Sequence, residues 1–330
     1  MAGLDKTVYS GKQFESFFSI QTGNLGANSV SGTLYKLRTP EVNDIDFAEG
    51  SQRAEIERSG QRILRPDDHI VVNKGGTYSF TFSDYAVENV TVLQSLLQLV
   101  SEDDSPSGTV VMTGNQATVA YEEGASTGEY ACVVISSPDA DEDRLMHSSI
   151  LQELTLSMNP TVNGGRLTAS GVFFSGYQPV IGTEGTSPNA TAVDFTKGFF
   201  DCTTMSIGSD DVVLNNFEMT ISNPAQRVGF STVNSISHEP SAYMRGGQVN
   251  VTGTVSAKLD DNVVDTIADF RAGTSVNISI GDGSTIDFDI PTAKYTGYTH
   301  TNTDAGVFID LPFKAMADGS NALFTIDITS

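Results

Sequence analysis

The feature that most limits what this chain can become is the alternation of apolar and polar side chains along many short runs. Tyr78, Phe80 and Phe82 alternate with Ser79, Thr81 and Ser83, and Leu154, Leu156 and Met158 alternate with Thr155 and Ser157. The same rule holds for Val276, Ile278 and Ile280, for Ile286, Phe288 and Ile290, and for Phe324, Ile326 and Ile328. Successive side chains of a strand point to opposite faces, so a period of two makes each run a strand with one buried and one wet face. Turn chemistry separates the runs. "GDGS" at Gly281–Ser284 reads as a hairpin turn, and "MTGNQAT" between Val110–Val111 and Val119–Tyr121 reads the same way. A mainly β fold is the expectation.

Two stretches break the rule with helical spacing. Val90, Leu93, Leu97 and Val100 stand 3, 4 and 3 apart, and Val263, Ile267 and Phe270 stand 4 and 3 apart. Asp260 or Asp261 is placed to cap the second helix, and Gly273 to stop it. Both helices sit in the same phrase: Gly-Gly, alternating strand, helix, Gly-Thr, strand, tight turn, strand. Gly76 and Gly247 lie 171 positions apart, and Gly108 and Gly273 lie 165 apart, the longer loop "SEDDSPSG" taking up the difference. This order of elements predicts a duplicated unit. "GGRLTASG" (Gly164–Gly171) resembles "GGQVNVTG" (Gly246–Gly253) but precedes no helix, so it reads as the closing strand of the first copy. The expected organisation is an N-terminal arm (1–30), a first β domain (31–177), a linker (178–198) containing "GTEGTSPNAT", and a second β domain (199–330).

Charge is polarised along the chain. The net charge is −23, yet residues 1–74 hold 9 Lys+Arg and 10 Asp+Glu, leaving the rest of the chain with a large acidic excess. A body with so few cations cannot grip a phosphate backbone. No apolar run approaches the roughly 20 residues that span a bilayer, and the N-terminus has no basic segment leading into an apolar one. A membrane is not expected as a partner, and a cytoplasm is the expected place of folding. Cys132 and Cys202 read as small buried side chains rather than a disulfide framework.

Signals for chemistry are weak. "GASTG" (Gly124–Gly128) fits a nucleophile-elbow pattern, but strand-like segments stand on both sides, so Ser126 reads as a hairpin-turn serine. His69, His147, His238 and His300 are isolated, and "DADED" (Asp139–Asp143), "SEDD" (Ser101–Asp104) and Asp287/Asp289 lack the calcium-loop order. The absence of tryptophan weakens a sugar-cleaving reading. Neither catalytic residues, cofactor, nor metal ligands are expected. Two long segments with few strand signals remain, one before each Gly-Gly. Arg38–His69 carries Arg53, Arg58, Arg62 and Arg65 among acidic residues, and Asn223–Arg245 carries Arg227, Tyr243 and Arg245. Loops of this length in a compact domain are functional or ordered by a partner, so these residues are the candidates for subunit or inter-ring contacts.

This element order, with "SGQRILRPDDH" in the first long loop and "FEMTISNPAQRV" through "EPSAYMRGGQVNVTGTVSAKL" (Phe217–Leu259) later, resembles the tail tube (major tail) proteins of long-tailed bacteriophages. The resemblance implies β-sandwich domains, each flanked by a helix, whose inner sheets join into a ring-shaped barrel. Rings then stack into a tube that conducts DNA during ejection. Two copies per chain imply homotrimeric, pseudo-hexameric rings within the virion tail. Further implied partners are tip and terminator proteins and genomic DNA that passes without specific binding. Most of that family carries one domain, so the length departs from its pattern. A capsid decoration or tail-tip protein is the alternative within a virion, and a carbohydrate-binding or hydrolysing module the alternative outside one.

Overall fold

The computed structural model describes residues 10–329 apart from 22–23, 28–29, 31–32, 49–50, 56–68, 74–75, 103–108, 114–118, 123–129, 139–141, 183–192, 209, 231–238, 304–305 and 318–321. The first half runs β1 (Glu15–Ile20), β2 (Tyr35–Leu37), β3 (Asp46–Ala48), β4 (Ser51–Glu55), β5 (His69–Asn73), β6 (Thr77–Ala86) and α1 (Val90–Ser101). It continues through β7 (Thr109–Thr113), β8 (Val119–Glu122), β9 (Ala131–Ser136), β10 (Arg144–Met158), β11 (Leu167–Ser175) and β12 (Val180–Ile181). The second half holds β13 (Thr204–Ile207), β14 (Asp210–Asp211), β15 (Leu214–Ser222), β16 (Gln226–Val228), β17 (Ala242–Arg245), β18 (Asn250–Lys258) and α2 (Asp261–Ala272). It ends with β19 (Val276–Gly281), β20 (Ile286–Tyr295), β21 (Thr299–Thr303), β22 (Gly306–Ala315) and β23 (Ala322–Ile328). The fold is mainly β, as the alternation requires, with two α-helices among the described residues.

One antiparallel run crosses the whole chain in the order β3-β6-β11-β10-β15-β18-β22-β21. The remaining strands of this network pair as β2-β1-β9-β10-β12 and as β14-β13-β19-β20-β23-β7. β10 belongs to both arrangements. Its first residues pair with β9 and β12, and its last six pair with β11 and β15. The change occurs where the register slips between Met146 and Ser149, beside Ser148 at φ 51°. Such an irregularity bends a strand and lets it leave one sheet for another. β20 makes the same passage, pairing with β19 and β23 and then with β22.

Period-two burial fixes which face of the long run meets the core. Leu154, Leu156, Met158, Phe217, Met219, Ile221, Val251, Val255, Leu311 and Phe313 are all buried in one cluster with α1 and the second set of strands. Phe80 and Phe82 lie 6.5 and 6.0 Å from the Phe173 ring within it. Burying one such side chain contributes about 1.5–3 kcal/mol, so a one-residue slip that turned this face outward would forfeit the core.

Three sequence expectations change. The "MTGNQAT" strands do not pair with each other: β7 pairs with β23, and β8 pairs with β17. Nor do the strands around "GASTG" form a hairpin, since β9 takes β1 and β10 as partners; Ser126 itself lies outside the described residues. The two long segments are not bare loops. β4 pairs with β5, and β16 with β17, and each pair is too short, at three to five residues a strand, to show a sustained alternation in the sequence. α1 does stop where the loop "SEDDSPSG" begins, at Ser101, with its C-cap Glu102 at φ 62°. The "GDGS" turn does close a hairpin between β19 and β20.

Candidate assembly surfaces

The two halves meet at β10 and β15, paired from Glu153↔Ser222 to Met158↔Phe217. On the wet side the Thr155 and Thr220 hydroxyls lie 2.9 Å apart. On the core side the join is closed by Arg245 at the end of β17. Its guanidinium donates to the carbonyls of Asn223 at 2.7 Å, Leu99 at 3.0 Å and Leu151 at 3.1 Å. The last carbonyls of any helix lack partners within it, and here Arg245 reaches Leu99 while the Asn223 amide donates to Val100 at 3.0 Å. Glu102 supplies the counter-charge 2.7 Å from Arg245 Nε, and the Tyr121 hydroxyl donates to the same carboxylate. A buried charge survives only when paired and hydrogen-bonded, and this one is both.

The sequence candidates therefore separate by place. Arg245 is 3 % exposed and spent inside the chain. Tyr243 is fully buried; its hydroxyl accepts from the Gly176 amide at 2.7 Å, and its ring packs edge-on against Phe174 and Tyr177. Burial leads in pushing the Tyr243 phenol above its ordinary range. Arg227, half-buried in β16, donates to the Gly76 carbonyl at 2.6 Å and so ties the second hairpin to the start of β6. Arg53 lies in β4 opposite Val71, while Arg58, Arg62 and Arg65 lie outside the described residues. Glu102 was weighed in the sequence only as part of the acidic "SEDD" and Asn223 only as the start of a long segment, neither as a partner of Arg245. For Glu102 the one such signal is distance along the chain, since it stands 171 positions before Gly273.

That spacing recurs throughout. The N-cap of α1 is Asn89, accepting from the Val92 amide; the N-cap of α2 is Asp260, accepting from the Val263 amide, each 171 positions on. Both helices have 12 residues, and both end in a left-handed residue, Glu102 and Gly273. β6 and β18 are related in the same way. In the first half Phe82 opposes Gly171, and an added Cβ on Gly171 would stand 2.8 Å from the Phe82 ring. In the second half Gly253, 171 positions after Phe82, opposes Phe313, and a Cβ there would stand 2.5 Å from that ring. The ring-over-glycine contact is kept with its members exchanged between strands.

The ends of the long run differ from its middle. Among the described residues β3 pairs only with β6, and β21 only with β22. α1, at the internal join, buries nine side chains, whereas Ala268 and Arg271 of α2 are exposed and Ile267 and Phe270 only partly buried. The wet face carries mostly hydroxyls: Thr155, Ser157, Ser170, Thr220, Ser222, Thr252 and Thr254, with Glu153, Glu218, Asp310 and Lys314. A cleft of about 160 Å³ on this face is lined by Asp84, Thr155, Ser157, Arg166 and Glu218 among others. Among the described residues no three His, Cys, Asp or Glu side chains are grouped to hold a metal ion. No described helix is long and apolar enough to cross a membrane.

Titrating groups elsewhere serve the fold. Burial holds the His147 imidazole down at about 4, where it packs 5.5 Å from the Tyr177 ring. Burial alone would raise the Asp282 carboxyl, but hydrogen bonds from the Thr285 hydroxyl and the Ser284, Thr285 and Ile286 amides outweigh it and hold the group far below the usual range. Asp282 thus builds the β19–β20 turn.

No curated protein matches the chain. The family model described as phage tail tube protein matches residues 45–315. This span runs from the first edge strand of the long run through the end of β22, and it includes both helices and the β10–β15 join. The chain belongs to the phage tail tube protein family, a structural family of the virion tail.

Proposed function

We propose that this chain is the repeating subunit of a phage tail tube and carries two copies of one tube unit in tandem. The copies span about 31–177 and 199–330, joined by 178–198 and preceded by an arm over 1–30. Three chains close a ring of pseudo-sixfold symmetry, neighbouring long sheets join into one barrel, and stacked rings form the conduit through which phage DNA is ejected. The observation that carries this reading is the antiparallel run to which both halves contribute, with an edge strand left at each end. An edge is a row of unpaired N–H and C=O groups that invites aggregation, and closure into a ring removes it. The matched helix caps and the exchanged Phe–Gly contact support the tandem copies.

The hydroxyl face lines the lumen in this reading. Glu153, Glu218 and Asp310 repel phosphates there, and cations on this face such as Lys294 and Lys314 are too few to hold a phosphate backbone, so the duplex slides. The β4–β5 hairpin, with Arg53, Arg58, Arg62 and Arg65, reaches neighbouring subunits or the next ring and meets acidic faces there; Arg227 braces the matching hairpin. Tip and terminator proteins cap the stack, assembly takes place in the host cytoplasm, and no catalysis or cofactor is involved. Negative-stain microscopy of purified and polymerised protein tests the reading. Rings and tubes are expected, and particles that stay monomeric under every condition would overturn it.

A further inference from the structure

Resting on that reading, we infer that the ring closes where the β3 edge of one copy pairs antiparallel with the β20–β21 edge of the next, and that Asp46 and Lys294 face each other across this join as an ion pair. The internal β10–β15 join supplies the register. Glu153 opposes Val172, which opposes Thr81; Lys294 opposes Lys314, which opposes Thr252, and Thr81 and Thr252 are 171 positions apart. Lys294 therefore occupies in the second half the place of Glu153 in the first. On the other side, Ser222 opposes Asn250 and Asp46 opposes Ser79, again 171 positions apart. Asp46 occupies the place of Ser222. Since Glu153 opposes Ser222 within the chain, Lys294 opposes Asp46 between chains.

The neighbouring positions agree with this register. Leu154 opposes Ile221 on the core side, and the matching pair is Tyr295 with Ile45, both buried. Asp46 and Lys294 are both exposed on the wet face, and neither forms an ion pair among the described residues. The neutral-to-acidic internal pair is thus replaced at the open ends by opposite charges. That difference makes the two kinds of join non-interchangeable: an edge carrying Lys294 meets Asp46 favourably, whereas two Lys294 edges would repel. The half-covered face of α2 lies near this end, at the place where α1 is covered by groups of the second half.

The test is a charge exchange read by ring assembly. Asp46→Lys and Lys294→Asp each place like charges opposite one another, and each is expected to raise the concentration needed for half-assembly about tenfold. The double variant restores opposite charges and is expected to return to within about threefold of the wild type. Both sites are exposed, so Asp46→Lys is expected to unfold with the wild type, and Lys294→Asp, which trades like charges opposite Lys314 for an opposite-charge pair, is expected to be no less stable. A second variant, Asp46→Cys with Lys294→Cys, places two thiols on directly opposed residues about 4.5–5.5 Å apart, within disulfide reach. Mild oxidation of assembled material is then expected to give covalent closed rings on a non-reducing gel. If microscopy shows rings of normal appearance while the single reversals assemble unchanged and the cysteine pair stays unlinked, the join lies elsewhere and the tube reading survives. If the wild type itself forms no rings, both fall.

Discussion

At the scale of single residues, the interior is held by a few polar groups that the sequence gives little reason to notice. Arg245 satisfies carbonyls from α1, β10 and the segment after β15, with Glu102 as its counter-ion. Removing one partner of a buried ion pair costs about 3–5 kcal/mol. Arg245→Met is expected to lose that much in urea unfolding, and Arg245→Met with Glu102→Gln to recover part of it. Glu102→Gly makes a sharper case. Glycine at a left-handed stop would favour the helix by about 1 kcal/mol, yet Arg245 would be left unpaired, so a net loss of roughly 2 kcal/mol or more is expected. His147 adds a pH dependence. Its folded value is held at about 4 by burial, below the ordinary 6.5, so the unfolded chain binds the extra proton between these values. Stability therefore falls as pH drops from about 6.5 to about 4, by roughly 3 kcal/mol from this group. A His147→Gln variant is expected to flatten that part of the melting-temperature profile.

At the scale of elements, the exchanged Phe–Gly contact joins β6 to β11 and β18 to β22 by the same packing. Gly253→Phe alone would press a second ring against Phe313 and the Glu218 carbonyl, costing about 1–3 kcal/mol or more. Gly253→Phe with Phe313→Gly removes the ring clash but keeps the contact with the Glu218 carbonyl, and is expected to regain only the part of that loss due to Phe313 in thermal unfolding. Strands with one apolar face were legible in the sequence because burial imposes period two; β6, β19, β20 and β23 lie where Phe80, Ile278, Phe288 and Ile326 place them. Both helices were legible from their 3-and-4 spacing. The β4–β5 and β16–β17 hairpins were not, since strands of three to five residues are too short to show a sustained period of two. Partner choice was hidden as well: nothing in "TVVMT" tells that β7 pairs with β23 from the far end of the chain. The candidate residues were least legible. Tyr243 and Arg245 look like loop residues in sequence, but their burial depends on α1 and β10, which lie far away along the chain.

At the scale of the whole molecule, a polarised charge and a two-ended sheet describe a part rather than a finished object. In the proposed tube the acidic excess beyond residue 74 would keep faces apart, and the balanced first segment would supply the cations that bring rings together. Charge reversal at Arg58 plus Arg62 is therefore expected to impair stacking of rings into tubes while leaving the monomer melting temperature within about 1 °C; equal loss of both would remove these residues from the stacking contact. High salt is expected to weaken stacking before it affects ring closure, because exposed ion pairs are screened while backbone pairing is not. The central claim, that one chain carries two tube units, is tested most directly by the mass of a single isolated ring. Three chains per ring is the predicted result, and six chains per ring would contradict it.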